Sequence, residues 1–123
     1  MRRFFLFLIA GMASSLVGMG VAHAHAHLQG AVPPAGASLP VAPPALELSF
    51  TENLEPRFSA VTVEDLSGKP VDTQPAKLAE GDPRKLIVAL PQLVPGTYTV
   101  IWRVTAIDTH RTEGRFSFTI TGP

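Results

Sequence analysis

Beyond about residue 45, apolar and polar residues alternate in short runs. Leu46-Glu47-Leu48-Ser49-Phe50-Thr51 has the period of two expected of a half-buried strand. Val61-Thr62-Val63-Glu64 predicts a second strand, and Ala76-Lys77-Leu78 a short one. The apolar run Leu86 to Leu90 predicts another. Thr97 to Thr105 is the longest, with Tyr98, Val100, Trp102 and Val104 on one face. Arg115 to Thr121 closes the chain, with Phe116, Phe118 and Ile120 on one face. Turn signals separate these runs: Glu52-Asn53-Leu54-Glu55-Pro56, Ser67-Gly68-Lys69-Pro70, Gly81-Asp82-Pro83 and Pro95-Gly96. His27 to Pro44, rich in Pro, Ala and Gly, reads as mostly irregular, with an edge strand around Leu28-Val32. No segment after residue 24 repeats apolar residues at helical spacing. The pattern predicts an all-β antiparallel sandwich or barrel of about seven strands, Ig-like in architecture. Trp102 is expected in the core between the sheets.

The first residues have a different character. Met1-Arg2-Arg3 is basic, and the eighteen residues Phe4 to Val21 carry no charge. Small residues in A-x-A order follow. This is the layout of a cleavable secretory signal peptide, either of the general route or, from Arg2-Arg3, of the twin-arginine type. The domain division is therefore 1–24 as signal peptide and 25–123 as one sandwich domain. A cut after Ala24 leaves His25 first, and a cut after Ala26 leaves His27 first. Removing Arg2 and Arg3 from ten basic and ten acidic residues leaves eight against ten. With no basic cluster, nucleic acid is not an expected partner. There is no cysteine, and all three methionines, Met1, Met12 and Met19, precede the expected cleavage site.

The remaining chemistry lies in the histidines. His23, His25 and His27 alternate with alanine in V-A-H-A-H-A-H-L, and His110 stands in I-D-T-H-R. On an extended backbone, Asp108 and His110 would project side by side. A new N-terminal histidine offers an amine and an imidazole. The amine titrates near ~8, so a metal can displace its proton at neutral pH. Adding His110 and Asp108 gives a set of nitrogen and oxygen donors, which in tetragonal geometry favours Cu(II); the sulfur ligands preferred by Cu(I) are absent. Two arrangements are open. In one, the fold joins His25 to Asp108 and His110. In the other, the tripeptide His25-Ala26-His27 binds copper alone, through its amine, two deprotonated amides and the His27 imidazole.

The segments H-A-H-L, P-P-A-G-A-S, L-S-F-T-E-N-L, P-G-T-Y-T-V-I-W-R-V, D-T-H and G-R-F-S-F-T-I occur in that order along the chain. In these it resembles the CopC-type periplasmic copper-binding proteins of the copper-resistance family. The resemblance implies an Ig-like seven-stranded Greek-key β-barrel and one Cu(II) ion per chain. It implies His25, Asp108 and His110 as ligands, Glu52 beside the metal, and His27 as a bystander or further ligand. It implies a freestanding, monomeric periplasmic protein for copper resistance, homeostasis or transfer, and no enzyme. Its partners would be copper, with an inner-membrane copper transporter or another periplasmic copper protein. The alternative is a copper-dependent oxidative enzyme with a histidine-brace-like centre. The methionine-rich loop of some members has no counterpart around Leu66 to Lys77, which argues against a Cu(I) relay.

Overall fold

The structure, a computed structural model, describes residues 25–123. The signal-peptide helix expected over 1–24 lies outside the described residues. Eight strands are found: β1 Leu28–Val32, β2 Ser38–Leu39, β3 Ala45–Phe50, β4 Ala60–Glu64, β5 Lys77–Ala79, β6 Asp82–Ala89, β7 Gly96–Thr105 and β8 Arg111–Ile120. They form two four-stranded sheets, β1-β3-β6-β5 and β2-β8-β7-β4. Every pairing is antiparallel except that of β2 with β8. The Ig-like sandwich predicted from the alternation is the fold observed.

The core is the set of residues the period of two selects. Leu46, Leu48 and Phe50 of β3 and Leu86 and Val88 of β6 point inward from one sheet. Val61, Val63, Tyr98, Val100, Trp102, Val104, Phe118 and Ile120 meet them from the other. The Trp102 ring stands edge-on to Phe50 across the core, with centroids 5.2 Å apart. Gly114 lies opposite Trp102 in the β7–β8 register. The indole fills the space where a Gly114 side chain would sit. Tyr98 stacks on Phe118, and its hydroxyl donates to the Val94 carbonyl at 2.6 Å, which fixes the start of β7.

Most strand ends fall within one residue of the sequence pattern; two starts shift further and one strand is added, each through pairing. β8 begins at Arg111 rather than Arg115, because its polar first residues continue the ladder to Thr105 of β7. β6 begins at Asp82, inside the expected turn, because Asp82 pairs with Ala79 of β5. β2, in the stretch read as irregular, is the strand beyond the expected seven. Its two residues align with Thr119 and Ile120. The predicted interruption after β3 is a bend followed by a 3-10 turn, Pro56–Phe58. The buried Thr105 secures that turn: its N–H is donated to Ser59 Oγ, and its hydroxyl donates to the Phe58 carbonyl.

Candidate metal centre

Three segments meet at one end of the sandwich: residues 25–27 ahead of β1, Thr51–Asn53 after β3, and the β7–β8 connection. The middle segment ties the other two together. Thr51 N–H donates to the His27 carbonyl and continues the β1–β3 ladder by one bond. Its hydroxyl accepts from the His27 N–H at 2.9 Å and donates to the His25 carbonyl at 3.2 Å. Two residues on, the Asn53 carbonyl accepts from Ile107 N–H at the base of the β7–β8 connection. A further tie comes from β8, where the Thr112 hydroxyl donates to the Ala26 carbonyl at 2.6 Å. Ala26 itself is 0% exposed and belongs to the core. The stretch before β1 is thus held against both sheets, with Ala26 as a plug between them.

The β7–β8 connection is a tight turn rather than the extended dipeptide considered from the sequence. Ala106 N–H donates to the His110 carbonyl, and Thr109 N–H to the Ala106 carbonyl. Thr109 has a φ of 78°, in the left-handed region. Asp108 and His110 nevertheless come together, because the carboxylate folds over the turn. Its Oδ1 accepts from the His110 N–H at 3.0 Å, and its Oδ2 lies 3.1 Å from His110 Nδ1. The backbone N–H of His110, then its ring, hold the Asp108 carboxyl below the usual carboxylate range. This fixes the orientation of the His110 imidazole.

The His25 and His110 rings meet edge-on, with centroids 5.1 Å apart. His25 Nδ1 is buried. The His27 ring stands 6.4 Å from that of His25 and is exposed. Glu52 is half-buried between Thr51 and Asn53, the two residues that make the ties. The structure thus brings His25, Asp108 and His110 to one place, with His27 beside His25 and Glu52 in the segment that Thr51 ties to it. Among the described residues, no three side chains of His, Cys, Asp or Glu are gathered closely enough to hold a metal by themselves. The Asp108 carboxylate is turned onto His110. The donor set is otherwise suited to a borderline cation: imidazole nitrogen and carboxylate oxygen, with no sulfur after residue 24. Sequence reasoning missed Thr51 and Thr112, whose partners are backbone carbonyls far away along the chain.

These features define a class: Ig-like β-sandwiches with an imidazole–carboxylate cluster where the N-terminal segment meets the β7–β8 turn. The family model described as CopC domain matches residues 28–121, and the chain belongs to the CopC family of copper resistance proteins. It is 41% identical over 113 residues to Protein YobA of Escherichia coli strain K12, covering 91% of this chain and 90% of that one. It is 36% identical to copper resistance protein C of Escherichia coli, covering 83% and 88%. The structure of CopC from Methylosinus trichosporium OB3b matches with a TM-score of 0.76 at 34% identity, over 80% of this chain and 95% of that one. PcoC, described as a methionine-rich copper resistance protein from Escherichia coli, matches at 0.72 and 31%, over 80% and 100%. Unlike a methionine-rich chain, the described residues here contain no methionine.

Proposed function

We propose that the exported chain, cut before His25, holds one Cu(II) ion in the periplasm and serves copper resistance, homeostasis or transfer. The His25 amine and imidazole, the His110 imidazole and the Asp108 carboxylate are its ligands in this reading. The observation that carries it is the approach of the His25 ring to the His110 ring, the latter oriented by Asp108. The metal would compete with the Asp108–His110 bond and join groups that lie 83 or more positions apart in sequence yet are adjacent in the fold.

Two further observations support parts of this reading. A cut before His27 would delete the fully buried Ala26 and the carbonyl that Thr112 grips; a cut before His25 leaves both intact. Binding by the tripeptide alone would need the His27 amide nitrogen, whose proton is donated to Thr51. The role is binding and transfer rather than catalysis. Tyr98 and Trp102, the chain's tyrosine and tryptophan, are buried, which leaves Phe58 as the one strongly exposed Phe, Tyr or Trp ring among the described residues. An inner-membrane copper transporter or another periplasmic copper protein would receive the ion.

The mass of the exported protein gives its first residue. Titration with Cu(II) should then show tight one-to-one binding that is lost when the amine is acetylated. His110→Ala should weaken binding and alter the copper spectrum; the same affinity and spectrum in that variant would overturn the site.

A further inference from the structure

Resting on that reading, we infer that Thr51 decides which of two copper geometries the N-terminus can adopt. The segment His25-Ala26-His27 contains every donor of a local four-nitrogen site: an amine once cut, two amides and a third-residue imidazole. In such a site the metal replaces the protons of the Ala26 and His27 amides, which pass to solvent, and the peptide wraps around it in a plane. A free peptide of this sequence has no competing structure to lose. In the folded chain the Thr51 hydroxyl holds both sides of the segment. It accepts the His27 N–H that the local site would have to deprotonate, and it donates to the His25 carbonyl. Thr112 holds the carbonyl between them, and Ala26 is packed in the core.

Wrapping the segment around a metal would break these three hydrogen bonds and withdraw Ala26 from the core. The same bonds cost the fold-built site nothing. They hold the segment that presents the His25 ring to His110. All of them lie on the C-terminal side of the bond before His25, so cleavage does not remove them. Thr51 is in this sense a positioning residue: it makes the chain use His110 and Asp108, and it keeps His27 out of the coordination sphere. A single hydrogen bond contributes roughly a factor of five in such an equilibrium. The two bonds of Thr51 therefore bias the choice by roughly 25-fold.

The test uses the exported protein beginning at His25, with Thr51→Val as an isosteric variant lacking the hydroxyl and Thr51→Ser as one that keeps it. Urea unfolding first establishes that each is folded; Thr51→Ala replaces the valine variant if that one is not. Without metal, the His27 amide should exchange with solvent about fivefold faster in Thr51→Val, and Thr51→Ser should restore its protection. With one equivalent of Cu(II), the parent should show a spectrum that changes on adding His110→Ala. In Thr51→Val the visible band should move to higher energy, as strong-field amide nitrogens enter the plane. Adding His110→Ala should then change little. A parent spectrum that is already of the amide type and indifferent to His110→Ala overturns the fold-built site and this inference together. A Thr51→Val spectrum that matches the parent and still depends on His110 overturns this inference alone.

Discussion

Gly114→Ala places a methyl group against the one tryptophan of the chain. Gly114 faces Trp102 across the β7–β8 ladder, and its φ is not in the region reserved for glycine. Alanine is therefore acceptable to the backbone, and the outcome depends on space. A Cβ at 114 would lie 2.5 Å from Trp102 Cζ2, 2.8 Å from Cε2 and 3.1 Å from Nε1. The indole is rigid, only 7% exposed and backed by Phe50, so it cannot swing aside as a flexible chain would. Overpacking of this kind costs ~1–3 kcal/mol. Replacing glycine stiffens the unfolded chain, which offsets ~0.4–1 kcal/mol. The net expectation is a loss of about 1.5 kcal/mol, or roughly 6–12 °C in Tm for a domain of about this size. Urea and thermal unfolding followed by circular dichroism measure it directly. Stability equal to or above the parent would refute the argument. A second arm checks the cause: in a Trp102→Phe background the penalty of Gly114→Ala should largely vanish, since the atoms it strikes are gone.

Thr109 is a β-branched residue at positive φ, so Thr109→Gly should raise unfolding stability by about 0.5 kcal/mol, as relief of the left-handed conformation exceeds the added chain entropy; a lower urea midpoint would contradict this. Tyr98→Phe removes the 2.6 Å bond to the Val94 carbonyl and should cost about 1 kcal/mol in the same assay; no change would show that bond to be idle. Asp65 caps the Ser67-Gly68 turn, its carboxyl held below the ordinary range first by the Ser67 hydroxyl and then by the Lys69 N–H. Because its folded pKa is depressed, its contribution is complete above the unfolded value near ~3.9 and is lost as pH falls through the folded one. The Ser67 and Lys69 amide resonances should therefore hold steady from neutral pH to about 4 and move only below it. Asp65→Asn should abolish that step, and a step centred near neutral pH would contradict the assignment.

The sandwich was legible because its core strands bury one face each, and a period of two marks them without reference to their partners. Leu46-Leu48-Phe50 and Tyr98-Val100-Trp102-Val104 are buried as the alternation requires. Arg103 forms an ion pair with Glu113, its opposite in the β7–β8 register. What stayed hidden is set by pairing. The polar start of β8 carries no apolar signal and β2 is too short to show a period; both become strands because a neighbour supplies the ladder. Of the site, the nature of the donors was legible and the manner of their meeting was not. Asp108 and His110 touch through a turn that a left-handed threonine makes, a conformation that composition gives no reason to expect. Thr51 and Thr112 look like ordinary strand-end threonines. Their partners, the carbonyls of His25 and Ala26, are 26 and 86 positions away.

That last separation bears on how long the folded chain survives. The clasp on Ala26 joins nearly the two ends of the domain, and in the proposed site a copper ion shared by His25 and His110 would close a loop of almost the same length. The chain has no cysteine, so the ion would occupy the place a disulfide takes in many small domains. A permanent cross-link over such a loop restricts the unfolded chain by on the order of 4 kcal/mol. A coordinate link acts in the same sense but can be withdrawn. The empty protein would open more often and be cleared sooner by proteases. Copper supply would then regulate the amount of its own carrier through turnover alone.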